Sequence, residues 1–257
     1  MKHAAYMICT APRSGSTLLC GMLAATGIAG DPDSLFYESA VGDWAARMGV
    51  APVAATERET LDAVMQAAIT MGRGATPVFG LRQQRPSFAF LCQKLAVLHP
   101  GAVTDRERIE RSFGPVRFIH LTRADKLAQA VSMLKARGSG LWHVAPDGSE
   151  LERTAAHFAA GYDADRIRDY IDRLTEYDRG WNDWFDREGV DPLRLTYDGL
   201  SAEPLATLRR VLDWLGLDAQ AADGVKPGVR KMADATSKAW IERFRADGSR
   251  VALIPDA

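Results

Sequence analysis

The sequence predicts an α/β fold, a three-layer α/β/α sandwich around a central, mostly parallel sheet. A short apolar run passes into a helical pattern at three places: residues 5–9 into 18–23, 116–121 into 127–131, and 193–197 into 205–215. Between them lie two further segments of helical period, within residues 42–75 and 162–185. At 257 residues and 47% hydrophobic composition, the chain can bury a large core, and residues 1–257 are expected to form a single domain.

The first element is the apolar run Ala5-Tyr6-Met7-Ile8-Cys9, a buried strand. Pro12-Arg13-Ser14-Gly15-Ser16-Thr17 follows it, and Leu18-Leu19-Cys20-Gly21-Met22-Leu23 then suits a helix packed on a sheet. Gly15 permits a tight turn, Ser16 and Thr17 bring hydroxyls, and the helix start leaves backbone N–H groups to face an anion. The sandwich is therefore P-loop-like. An ordinary P-loop, however, has a Lys before its Ser or Thr, and here Gly15 is followed by Ser16 with Arg13 as the nearby cation. That departure weakens an ATP-dependent phosphotransferase reading without removing it.

Residues 61–69 place Leu61, Val64, Met65, Ala68 and Ile69 on one helical face, read as scaffold. Pro77-Val78-Phe79-Gly80-Leu81 reads as a second strand and its exit, with Arg82 just beyond. Val116, Phe118, Ile119 and Leu121 make a third strand that carries His120; Arg123 stands at its junction and Asp125 caps the next helix. Glycines and Pro146 punctuate residues 136–150, a candidate substrate loop holding Trp142 and His143. Ile167, Tyr170, Ile171, Leu174 and Tyr177, then Trp181, Trp184 and Phe185, give a long helix its apolar face. Residues 193–197 form the last strand, with Asp198 as a cap before the helix of Leu205, Leu208, Val211 and Leu212.

Composition sets limits on function. With 32 basic and 33 acidic side chains the formal charge is −1, which gives no support to a nucleic-acid surface. Cys9, Cys20 and Cys92 form neither a disulfide framework nor a metal-ligand cluster, so no metal is expected. No signal peptide or membrane span stands out, and a cytoplasmic protein with reduced thiols is the expectation.

Residues 13–19 together with 23–30 resemble the PAPS-dependent trehalose sulfotransferases and their bacterial relatives, and the likeness extends over nearly the whole chain. PAPS, 3′-phosphoadenosine 5′-phosphosulfate, is the sulfonate donor the resemblance implies. Arg13, Ser14, Gly15, Ser16 and Thr17 would then contact its 5′-phosphosulfate, and Arg82, after Gly80, would stand near the transferring sulfonate. The segment Ile119-His120-Leu121-Thr122-Arg123, continued by Gln129-Ala130-Val131-Ser132, resembles the family's 3′-phosphate site and implies Arg123 and Ser132 as ligands, with Gln129 nearby. Arg230 and Lys231 correspond to a basic segment that closes over the donor, within a carboxy-terminal stretch of residues 226–257.

The family's acidic residue, proposed to activate the sugar hydroxyl, falls here on Ser34. Asp31, Asp33, Glu38 and His120 are the candidates for the base, with Asp33 or Glu38 preferred, and Ser34 is expected to bind the acceptor. Phe36, Tyr37, Trp142 and His143 are candidate acceptor-pocket residues or, alternatively, core. The acceptor would be trehalose, another glycan or a small polar metabolite with a hydroxyl, and the resemblance also raises a homodimer. A noncatalytic sulfonucleotide-binding protein is the remaining alternative.

Overall fold

The computed structural model describes residues 5–51, 56–144, 149–153, 161–228 and 234–251. Four parallel strands, β1 (Ala5–Thr10), β2 (Phe79–Gln84), β3 (Val116–Thr122) and β6 (Leu193–Thr196), form the main sheet in the order β2-β1-β3-β6. Every residue of β1 is buried, as a central parallel strand covered on both faces requires. Its alternation separates two cores. Ala5, Met7 and Cys9 join one built with helices α2 (Val41–Arg47), α3 (Glu57–Arg73), α4 (Arg85–Leu98), α5 (Asp105–Phe113) and the later part of α7 (Ala164–Glu188). Tyr6 and Ile8 join the other, with α1 (Ser16–Ala25), α8 (Tyr197–Ala202) and α9 (Pro204–Leu215). The predicted three layers and parallel sheet are present.

The chain leaves β1 for β2 on one side and returns past β1 to β3 on the other. That reversal makes the carboxyl end of β1 a topological switch point, where open α/β sheets bind their ligands.

The contacts divide the protein into two compact units, Met1–Thr122 with Tyr177–Pro227 and Arg123–Glu176 with Gly228–Ala257. The second unit contains α6 (Lys126–Ser139), the antiparallel pair β4 (Leu141–Val144) and β5 (Glu150–Arg153), the first half of α7, and α10 (Ala235–Val251). Within it, the Asp234 carboxylate receives the Ser237 N–H at 2.9 Å at the start of α10 and pairs with Lys135 of α6.

Three local expectations are corrected. Arg82 lies inside β2 rather than beyond it, because β2 stays paired with β1 as far as Gln84, with Ile8 opposite Arg82; Asp33 also bridges Leu81, and its carbonyl accepts the Arg82 N–H at 3.0 Å. Thr196, not Asp198, caps α8, its hydroxyl accepting the Gly199 N–H. Residues 136–139 are the last turn of α6, ended by Gly140 at φ 68°, and 141–144 pair with 150–153; residues 145–148 lie outside the described residues.

Candidate active site

The turn from β1 to α1 is built on two left-handed residues, Arg13 (φ 65°) and Gly15 (φ 87°). Arg13 is the one non-glycine residue with positive φ among the described residues, a sparsely populated conformation that tends to mark functional loops. A Cβ on Gly15 would come within 2.6 Å of the Tyr197 ring, so glycine there serves both the backbone and the close approach of Tyr197. No side chain caps α1 and its first turn carries no acid, the condition under which a helix start favours an anion. Ser14 turns inward instead: its buried hydroxyl bonds Thr10, whose own hydroxyl donates to the Leu121 carbonyl at 2.8 Å. It ties the loop to β3. Ser16 is buried and Thr17 half-buried.

Arg82 binds this loop to the chain that follows α1. Its Nη1 donates to Thr17 Oγ1 at 2.7 Å, Nε to Ser34 Oγ at 2.7 Å and Nη2 to Asp33 Oδ1 at 2.8 Å. Three partners on three nitrogens fix the plane of the guanidinium. The other Asp33 oxygen accepts from Arg47 of α2 at 2.9 Å, and Arg47 reaches Glu38 at 3.4 Å. Glycines allow the segment of Asp33 and Ser34 to lie so close. A Cβ on Gly30 would meet the Val78 carbonyl at 2.4 Å, and one on Gly80 the Tyr6 hydroxyl at 2.6 Å, where Tyr6 donates to the Ala29 carbonyl.

The structure brings together Thr17, Asp33, Ser34 and Arg82, and attaches Glu38 through Arg47. His120 is elsewhere: 2% exposed, edge-on to Phe185 at 5.2 Å, with Nδ1 3.2 Å from Arg194. Phe36 is core, packed edge-on to Trp44 at 5.0 Å, because its side of the segment faces α2; Tyr37, by contrast, is 52% exposed. In the second unit Arg123 directly follows β3, Asp125 caps α6 by accepting the Ala128 N–H, and Gln129 is buried against Lys126. Ser132 and Trp142 are half-buried there; the His143 side chain, Arg230 and Lys231 lie outside the described residues.

Sequence reasoning missed Arg47 and the place of Tyr197. Arg47 carries no signal beyond a cation on a short helix, whereas Tyr197, expected as the last residue of the final strand, instead begins α8. Burial pushes the Cys20 thiol up to about 12, the nearby Arg82 cation opposing, and it raises Cys9 and Cys92 as well. None of the three is a poised nucleophile. Among the described residues no three His, Cys, Asp or Glu side chains cluster to hold a metal.

The decisive comparison is with sequence families: residues 5–247 match the Stf0 sulphotransferase family. The chain belongs to that family. A sulphotransferase of this kind is an enzyme that transfers sulfate. Trehalose 2-sulfotransferase of Mycobacterium tuberculosis is 31% identical to it over 268 residues, covering 96% of this chain and 97% of that protein. The enzyme of the same name from Mycolicibacterium smegmatis is 29% identical, covering 97% of each. Among solved structures, the sulfotransferase domain of a Synechococcus olefin synthase aligns at a TM-score of 0.45 and 18% identity, covering 98% of this chain and 89% of that one. Among the described residues no helix of this sulphotransferase is long and apolar enough to cross a membrane.

Proposed function

We propose that this sulphotransferase moves the sulfonate of PAPS directly to a hydroxyl of a carbohydrate, with a disaccharide such as trehalose as the leading acceptor. The observation that carries the reading is the Arg82 cluster, a fixed guanidinium bonded at once to the anion loop through Thr17 and to Asp33 and Ser34. The β1–α1 turn, with its positive-φ glycine and uncapped, acid-free helix start, suits a phosphosulfate, and Arg13 adds charge. Arg123 and Ser132 would bind the 3′-phosphate, and Arg230 and Lys231 would close over the donor, as the sequence resemblance implies.

Arg82 donates to the sulfonate and to the bridging oxygen as negative charge gathers there. The acceptor oxygen bonds to sulfur, the bond from sulfur to the bridging oxygen breaks, and adenosine 3′,5′-bisphosphate departs with its electron pair. Asp33 takes the proton of the attacking hydroxyl, being the candidate base whose carboxylate lies in the Arg82 cluster, and Ser34 orients that hydroxyl. The test is incubation with sulfur-labelled PAPS and a panel of sugars, with product identification. Label on a sugar hydroxyl, with one bisphosphate released per transfer, is expected. Donor binding without any labelled acceptor across the panel overturns the reading.

A further inference from the structure

Three consecutive residues at the carboxyl end of β2 hold buried polar atoms without a partner among the described residues: Gln83 Oε1, Gln84 Oε1 and Arg85 Nε. Such atoms are rare in folded proteins and each calls for a cause. Gln83 is 1% exposed, and its amide nitrogen is committed to the Gln84 carbonyl at 3.1 Å and to Ser87 Oγ at 2.9 Å, leaving the oxygen over. Arg85 has neither an ion pair nor a hydrogen bond among the described residues. Its guanidinium lies 5.6 Å from the Trp181 ring centroid and 5.7 Å from that of Phe88. Gly180 of α7 makes room for it, since a Cβ there would stand 2.7 Å from Arg85 Nε. Trp181 is anchored by its indole N–H on the Thr10 carbonyl at 2.9 Å, so the floor under Arg85 is fixed to β1.

The chemistry of these groups selects a ligand class. An anion would suit Arg85, at the first turn of α4, but would face two amide oxygens. A hydrocarbon would satisfy none of them. Paired hydroxyls suit both Gln84 and Arg85, donating to the amide oxygen and accepting from the guanidinium. Gln84 and Arg85 are half-buried, so each keeps part of its side chain within reach of a ligand, while the buried Gln83 lies behind them. We infer that Gln84 and Arg85 form a subsite for the non-reacting hydroxyls of a carbohydrate acceptor, three residues along the strand end from Arg82; the inference rests on the transfer reaction proposed above.

The test uses the full chain and trehalose as the probe. Arg85→Lys, Gln84→Ala and Gly180→Ala are each expected to raise the KM for trehalose, and the Kd for trehalose binding to the protein with adenosine 3′,5′-bisphosphate, by about tenfold, the loss of roughly one to two hydrogen bonds. The kcat should stay within about threefold and the bisphosphate affinity should not change, as for groups that bind ground and transition states alike. Gly180→Ala adds helix propensity, so a weakened acceptor there is not a sign of unfolding. If wild type transfers sulfonate to trehalose and the variants bind trehalose as it does, the subsite is overturned while the reaction stands. If wild type neither binds nor sulfates any sugar, the reaction fails and takes the subsite with it.

Discussion

Arg82 and Arg85 stand three residues apart at the end of one strand and meet opposite treatment. Arg82 spends three nitrogens on Thr17, Ser34 and Asp33, at 2.7 to 2.8 Å. Arg85 is stacked on Trp181 and Phe88 and left without a polar partner among the described residues, and burial draws its pKa below the usual arginine value. The difference teaches how one edge can serve two tasks. A guanidinium already held in place needs no reorganisation when charge develops beside it. One whose donors are unspent gains most from a ligand that brings acceptors.

The largest expected effect comes from removing the organised member. Arg82→Ala should lower kcat by about 10²- to 10³-fold, the usual loss for one preorganised donor at a developing charge. Steady-state kinetics with donor affinity measured in parallel would check this; a fall in donor affinity alone, with kcat intact, would break the contrast between the two arginines. Gly15→Ala attacks the frame that holds Thr17. It places a Cβ 2.6 Å from the Tyr197 ring at φ 87°, and should cost about 1–3 kcal/mol of stability together with donor affinity. Urea midpoints and bisphosphate calorimetry would report both.

The other member is sharpened by Trp181→Phe, which keeps a ring beneath Arg85 but strands the Thr10 carbonyl. A loss of about 1–3 kcal/mol is expected in chemical denaturation, with acceptor KM rising more than donor Kd. The smallest effect lies in the second unit, outside both clusters. Burial alone would raise the Asp234 carboxyl, but Lys135 and the Ser237 N–H and hydroxyl outweigh it and bring it to about 2 from an ordinary 3.8. A depressed carboxylate contributes stability that is present above its unfolded value and lost as pH falls, here between about 3.8 and about 2. Asp234→Asn should flatten that part of the pH–stability curve, measured by thermal unfolding, and leave both arginine readouts unchanged.

How much of this was legible beforehand follows the range of the interactions. The strand-to-helix transitions and the loop around Gly15 are local, set by apolar period and turn chemistry, and the structure places them as read. The Arg82 cluster is not local: its partners Thr17 and Ser34 lie 65 and 48 residues away, and pairing with the distant β1 is what carries β2 through Arg82. Sequence resemblance singled out Arg82, but nothing in the order of residues disclosed Arg47. Aromatic content misled in the other direction. Phe36 and Tyr37 are neighbours of similar chemistry, yet the turn at Leu35 and Phe36 buries both of those side chains and leaves Tyr37 exposed. His120 sits on a strand whose register, opposite Cys9, turns it into the packing against Phe185.

The most direct test of the two-arginine account measures kcat and acceptor KM side by side for Arg82→Lys and Arg85→Lys, with labelled PAPS and trehalose. Lysine keeps the charge in both and removes the fork. The account expects Arg82→Lys to act mainly on kcat and Arg85→Lys mainly on the KM for trehalose, with bisphosphate affinity little changed in the latter. Both substitutions shifting the same parameter to the same degree would contradict it.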